Sequence, residues 1–269
     1  MTDSEAVIEQ VLFSASSRPC PDEIVAAIRR HGVALLRGAV EVVTVERVRA
    51  SLEHFEQRLN HEVASGRRDG QDRNRLLSAG ITGPHLEEEM LALLAALGPV
   101  VAHHVEHYLE CGDLVVPDNH FLFRKRDQRA SDAALKRGNR HNFHQDHDLI
   151  PGAFPFNVWV PLSPVDDWAL GLSIAFPAAI QVLPIPVDIE PYLERNNGFL
   201  WTPNMDVGDI LLFHRYTIHG TYTTLKRPAP RYSAEFRVGT RSAAPQTHLQ
   251  FLRAFGATPS VRARAETIG

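Results

Sequence analysis

Over the first 110 or so residues apolar side chains recur with the period of a helix; past Cys111 they come in short runs with the period of a strand. Pro21-Asp22-Glu23 opens a helix that carries Ile24 and Ile28 and stops near Gly32, the usual placing of proline, acids and glycine at helix ends. Val33-Ala34-Leu35-Leu36 is a short apolar run and predicts a strand. Thr44 can cap a long amphipathic helix with Val48, Leu52, Phe55 and Leu59 at spacings of three to four. The charged, glycine-containing stretch 66–74 predicts an exposed loop. Leu91 through Leu97 predicts a further helix, interrupted at Gly98-Pro99, with another running to Tyr108.

After Cys111, segments of β character alternate with Pro, Gly and Asn around 119–124, 155–162, 171–176, 208–213, 216–223 and 231–238. Several short strands separated by turn signals predict a sandwich or barrel. The last of them alternates cleanly. Arg231, Ser233, Glu235 and Arg237 share one face, and Tyr232, Ala234, Phe236 and Val238 share the other. A charged row is expensive to bury unless it binds something. Beyond Gly239 the chain is polar, with Leu249, Phe251 and Leu252 as its anchors. No internal repeat is visible. The expected organisation is one domain over 1–269: a largely helical part at 1–112, a β core at 113–240 and a tail at 241–269.

Composition narrows the class. Hydrophobic residues make up 44% and charged residues 22% of 269 positions, ample for one sizeable core. A net charge of −4 leaves no electrostatic footprint for nucleic acid. No apolar run approaches the roughly 18–20 residues of a membrane span, and MTDSEAVIEQ lacks the basic-then-apolar layout of a signal peptide. Cys20 and Cys111 are too few for a disulfide framework, which fits a reduced cytoplasm. Histidine is the unusual count, at 14.

Candidate chemistry begins at His144-Gln145-Asp146. In a strand, residues two apart point the same way, so His144 and Asp146 can reach one ion while Gln145 points away. Alone, such a triplet is weak. Downstream, Gly208-Asp209 precedes the apolar run Ile210-Leu211-Leu212-Phe213, and then comes Thr217-Ile218-His219-Gly220. Two histidines and one carboxylate on one face of a metal leave the opposite face open, the facial triad of non-haem Fe(II) oxygenases. Twelve residues after His219, Arg231 opens the alternating strand. Its guanidinium can take a carboxylate through two parallel hydrogen bonds, with Ser233 adding a hydroxyl. An acidic co-substrate has a ready anchor there.

In order and approximate spacing, HQDHD at 144–148, VWVPL at 158–162, GLSIAFP at 171–177, GDILLF at 208–213, IHG at 218–220 and the arginine opening the last strand resemble the phytanoyl-CoA dioxygenase-like family. The resemblance covers roughly residues 115–240. It implies a mainly β fold with flanking helices, whose core is a double-stranded β-helix (a cupin-like jelly-roll). It implies an Fe(II)- and 2-oxoglutarate-dependent dioxygenase that hydroxylates an unactivated C–H of a small molecule, such as a biosynthetic or natural-product intermediate, with O2 consumed and succinate and CO2 released. Carried over, His144, Asp146 and His219 match the iron ligands, and Arg231 matches the arginine on the far carboxylate of 2-oxoglutarate. Arg227 is a second candidate for that anchor; Arg231 is preferred because it opens a strand, whereas Arg227 sits in a Lys-Arg-Pro turn. Pro177-Ala178-Ala179-Ile180 stands where many members have Pro-Gly-Ser-His. Relatives that halogenate lack the carboxylate, so Asp146 points to hydroxylation or a related oxidation.

Other residues have milder expectations. Asn157 and Trp159 share a strand face and can line the pocket, with Arg124 and His141 as further substrate candidates. The basic run from Arg124 to Arg140 reads as a solvated loop or as a lid that steers an anion. His147, His214 and the trio His103, His104 and His107 read as ordinary histidines, although His147 and Asp148 could orient a ligand. Phe121 and Phe123 read as core. Two rival functions stay open. A non-catalytic jelly-roll that binds a ligand or metal predicts no succinate release. A cupin-like metal-dependent hydrolase or isomerase works without oxygen and has no use for Arg231.

Overall fold

Two sets of apolar residues alternate along the strands, and the fold gives each its own partner. The computed structural model describes residues 2–14, 16, 19–79, 86–110, 112–117, 121–126, 143–146, 154–166, 169, 171–178, 182–183, 187–221, 229–244 and 252–255. The N-terminal elements are α1 (Asp3–Glu9), β1 (Leu12–Ser14), α2 (Pro21–His31), β2 (Val33–Arg37), α3 (Val42–Ala64), α4 (Gly70–Ala79) and α5 (Glu87–Leu109). Then follow β3 (Leu114–Pro117), β4 (Phe121–Arg126), β5 (Phe156–Pro161), β6 (Leu172–Phe176), α6 (Ile189–Asn196), β7 (Phe199–Trp201), β8 (Ile210–His214), β9 (His219–Thr221), β10 (Arg231–Thr240) and β11 (Leu252–Ala254).

The larger sheet runs β1-β2-β8-β5-β10. The far edge of β10 carries β4 along Arg231–Phe236 and β3 at Gly239 and Thr240, and β11 lies beyond β3. The smaller sheet is β7-β6-β9, and a bridge between His144 and His219 lays the segment 143–146 along its edge. From β5 to β10 the chain passes large, small, small, large, small, large. That winding between two facing sheets is a jelly-roll, as the sequence leads one to expect.

Burial follows the strand period. Ile210 and Leu212 of β8, Val158 and Val160 of β5, and Ala234, Phe236 and Val238 of β10 face outward and join the helical core of α2, α3 and α5. Leu211, Phe213 and Trp159 face inward and meet Leu172, Ile174, Phe176 and Trp201 of the smaller sheet. Strands buried on both faces read as continuous apolar runs, which is why β8 shows no alternation in sequence. At about 1.5–3 kcal/mol per large side chain removed from water, these two layers hold the barrel and its helices together.

Val48, Leu52, Phe55 and Leu59 are all buried on α3, and Gly32 ends α2 in the left-handed region at φ 75°. Three expectations need correction. Helix α3 starts at Val42, before Thr44. The expected loop at 66–74 gives way at Gly70 to α4, whose first turn is tied back when Arg68 bridges Glu62 and Asp72. Helix α5 runs unbroken through Pro99. A mid-helix proline costs about 3 kcal/mol, and burial of Leu93, Leu94, Leu97, Val101 and Val105 outweighs it. Because it does not break, α5 is long and apolar enough to cross a bilayer, contrary to the sequence expectation; half of that stretch is buried in the protein. The tail adds β11 and the buried Phe255; Leu249 and Phe251 lie outside the described residues.

One polar clasp ties the helices to the outer face of the larger sheet. Glu56 of α3 is buried and accepts from Arg73 Nη2 (2.8 Å), Lys125 Nζ (2.7 Å) and Tyr232 Oη (2.9 Å). Glu56→Leu strands two cations at this junction. We expect a loss of about 2–4 kcal/mol in urea unfolding; a loss below about 0.5 kcal/mol would show that the clasp is as idle as an ordinary surface ion pair.

Candidate metal centre

The centre is set by a backbone pairing. His144 N donates to His219 O, and His219 N donates to His144 O, both at 3.0 Å. Directly paired antiparallel residues project on the same side, and the two rings stand 4.5 Å apart between centroids. Two residues on, Asp146 returns to that side. Its backbone N–H donates to Arg215 O at 2.9 Å. Gln145 points the other way and is spent internally: Nε2 donates to Tyr216 O (2.7 Å) and Oε1 accepts from Leu183 N (2.8 Å). One potential ligand atom from each of His144, Asp146 and His219 lies within 4.8 Å of the others.

The donor chemistry suits a metal ion. His219 Nδ1 sits 2.9 Å from the carbonyl oxygen of Thr217, which can only accept. The ring proton is therefore on Nδ1, and Nε2 presents its lone pair to the centre. The Thr217 hydroxyl donates to Gly32 O at 2.7 Å, so the turn that ends α2 also steadies this histidine's orienting carbonyl. Burial pushes the His219 imidazole below its ordinary value against the upward pull of Asp146, which keeps it neutral and ligand-ready. Asp146 Oδ1 is buried and has no hydrogen-bond partner among the described residues, while it lies 3.6 Å from His144 Nε2. A bare, buried carboxylate oxygen is costly, and an ion between these three groups would satisfy it. Among the described residues no other three His, Cys, Asp or Glu side chains converge in this way.

The other carboxylate oxygen is fully engaged. Asp146 Oδ2 accepts from Asn157 Nδ2 (2.5 Å) and Arg237 Nη2 (2.9 Å). Arg237 Nη1 donates to Glu235 Oε1 at 2.9 Å, and Glu235 Oε2 lies 3.5 Å from Arg124 Nη1. Burial alone would raise the Glu235 carboxyl; Arg237 and then Arg124 reverse that and hold it at about 2. In sequence, Arg237 stood out only as one member of a charged face. Nothing local signalled its contact with residue 146, which depends on the β5–β10 register that sets Arg237 opposite Asn157.

The remaining candidates divide. Arg231 and Ser233 are buried on the inner face of β10. The Arg231 guanidinium lies 5.0 Å over the Trp159 ring, and Trp159 pairs with Glu235, one inner-face step from Asn157. Ser233 Oγ is buried with no partner among the described residues. Asn157 donates Nδ2 to Asp146, while its buried Oδ1 has no partner among the described residues, and Arg124 Nη1 lies 3.5 Å from Glu235 Oε2. His141, His147, Asp148 and Arg227 lie outside the described residues, as does the basic run beyond Arg126. His214 packs on Tyr108 and Phe156, and burial drops it to about 4. His104 is buried in α5 and also falls to about 4 for the same reason, and His107 pairs with Asp22. Phe123 is core.

No protein-family model matches the chain, and no curated protein resembles it in sequence. Solved structures do resemble it. The epimerase SnoN, in complex with Fe3+, alpha ketoglutarate and nogalamycin RO, aligns with a TM-score of 0.58 at 17% identity, over 90% of this chain and 96% of SnoN. The non-heme alpha ketoglutarate dependent carbocyclase SnoK from nogalamycin biosynthesis gives 0.57 at 11% identity, over 92% and 91%. AviO1 from Streptomyces viridochromogenes Tue57 gives 0.56 at 15%, over 84% and 97%. At these identities the likeness establishes the fold: this chain has the jelly-roll architecture of those enzymes.

Two outcomes are expected. Asp146→Asn and His219→Ala should each weaken Mn(II) binding roughly 100-fold or more by calorimetry, the weight of one ligand in such a site; His107→Ala should not. Undiminished binding in His219→Ala would put the metal elsewhere. Second, Glu235 is depressed from 4.5 to about 2, so its contribution is present above the unfolded value and is lost as pH falls toward the folded one. Across roughly pH 3–4.5 the stability slope of Glu235→Gln should be shallower by up to about one proton. Parallel slopes would contradict this.

Proposed function

We propose that this chain is a non-haem Fe(II)- and 2-oxoglutarate-dependent oxygenase of the phytanoyl-CoA dioxygenase-like kind, hydroxylating an unactivated C–H of a small molecule. The observation that carries the reading is the convergence of His144, Asp146 and His219 beside an inner strand face that presents Arg231 and Ser233. The iron- and alpha ketoglutarate-bound state of SnoN, which shares the fold, supports it.

In this reading each residue has a stated task. His144 and His219, through Nε2, and Asp146, through its carboxylate, would hold the ion and leave it open to ligands from solution. Arg231 grips the far carboxylate of 2-oxoglutarate. Its fork is already held against Trp159, so little side-chain freedom is lost when the carboxylate arrives. Ser233, whose buried hydroxyl has no partner among the described residues, donates to the same group. Trp159, Leu211 and Phe213 wall the barrel with apolar surface and keep water out. Bound iron, with 2-oxoglutarate and dioxygen, supplies the oxidising power for C–H attack, with succinate and CO2 as co-products. Asp146 occupies the position that a halogenating relative leaves to chloride, which favours oxygen transfer. The epimerase and carbocyclase among the fold's neighbours show which other products a substrate screen should seek.

The deciding experiment follows succinate release from 2-oxoglutarate with Fe(II) and O2 across candidate substrates. Succinate should form only with all three present and vanish in His219→Ala. Arg231→Met should raise the KM for 2-oxoglutarate by roughly thirtyfold or more, about 2 kcal/mol of lost carboxylate recognition, with metal affinity unchanged. Turnover without oxygen would favour a hydrolase or isomerase, and metal binding with no succinate under any substrate would favour a binding protein.

A further inference from the structure

Resting on the reading that the triad holds a metal ion, we propose that Arg237 is a positioning residue for that ion: with Asn157 it holds Asp146 as a ligand through one oxygen only. The two carboxylate oxygens are not equivalent. Oδ2 accepts from Asn157 Nδ2 and Arg237 Nη2 and lies 3.5 Å from His219 Nε2, while Oδ1, 3.6 Å from His144 Nε2, is buried with no hydrogen-bond partner among the described residues. A carboxylate free to turn can present both oxygens and take two positions on a metal. Here, turning would break two hydrogen bonds in a buried site, both to a carboxylate and one of them from a guanidinium, which makes it costly. Held this way, Asp146 would bind the ion through one oxygen and leave more of it open to other ligands.

The donors are themselves held. Arg237 and Asn157 are direct partners in the β5–β10 register, so both side chains project from adjacent strands onto the same inner face. The planar guanidinium of Arg237 divides its terminal nitrogens between two carboxylates, Nη2 to Asp146 and Nη1 to Glu235, each at 2.9 Å. Arg124 braces the far side of Glu235 from β4, where it pairs in register with Ser233. The ladder Asp146, Arg237, Glu235, Arg124 alternates in sign and sums to zero. It steadies the ligand without adding net charge that would compete with Arg231 for an anion.

Arg237 also neutralises Glu235, and a merely structural role there makes a different prediction. The test compares the full-length wild type, Arg237→Lys, Arg237→Met and the double variant Glu235→Leu/Arg237→Met, in which no buried carboxylate is left unpaired at 235. Thermal unfolding reports the fold, and Mn(II) affinity with the Mn(II) electron paramagnetic resonance spectrum reports the ligand geometry. The double variant should recover most of the stability lost in Arg237→Met. Its Mn(II) affinity should stay ten- to a hundredfold below wild type, the usual weight of a residue that orients a metal ligand, with an altered spectrum. Arg237→Lys should recover part of the affinity. A double variant, or a folded lysine variant alone, that matches wild type in affinity and spectrum overturns the positioning role and leaves the metal site standing. A wild type that binds no Mn(II) or Fe(II) overturns both.

Discussion

A row of charge runs down the inner face of β10, and the rest of the barrel makes its burial tolerable. An unpaired ion taken out of water costs several kcal/mol. Glu235 and Arg237 are both nearly inaccessible, and each is answered by an opposite charge: Arg124 on one side, Asp146 on the other. The pairing requires β4, β5 and β10 to hold one register, because a slip of one residue would exchange the polar face for the apolar one. The same strand turns Ala234, Phe236 and Val238 toward the helices. One period of two thus divides the protein into a helix-backed core and a polar interior.

That interior is coupled to the candidate metal centre through short, directional contacts. The His144–His219 backbone exchange places two rings side by side. Thr217 selects the histidine tautomer through its carbonyl, and its own hydroxyl is tied to the glycine turn at the end of α2. The helical layer therefore does more than cover a sheet. Its first long turn braces the loop that aims a ligand, and the Glu56 clasp holds α3 and α4 against the strands that carry Arg124 and Arg231.

The places where sequence and structure part company have a common cause. Helix α3 was legible because its apolar stripe is local, and the alternation of β10 was legible because it is polar on one side. Pro99 misleads because the cost of a proline is local and the burial that outweighs it comes from packing with α2 and α3. The charged stretch after Gly66 misleads for a related reason: Arg68 joins Glu62 to Asp72 across a turn whose shape no periodicity encodes. The support that Asn157 gives Asp146 is not legible along the chain, since it depends on a segment brought beside β5 only by the fold.

By itself the sequence determined the candidate ligand types, their order and the two-residue spacing that puts His144 and Asp146 on one side, a placement that follows from the strand period. It also determined that an arginine and a serine share a face of the last strand. Only the tertiary structure decided which carboxylate oxygen of Asp146 is held by Arg237 and Asn157, and that Arg231 lies over Trp159. Those facts depend on register between strands distant in sequence, and register is set by the summed packing of both sheet faces, which no single segment contains.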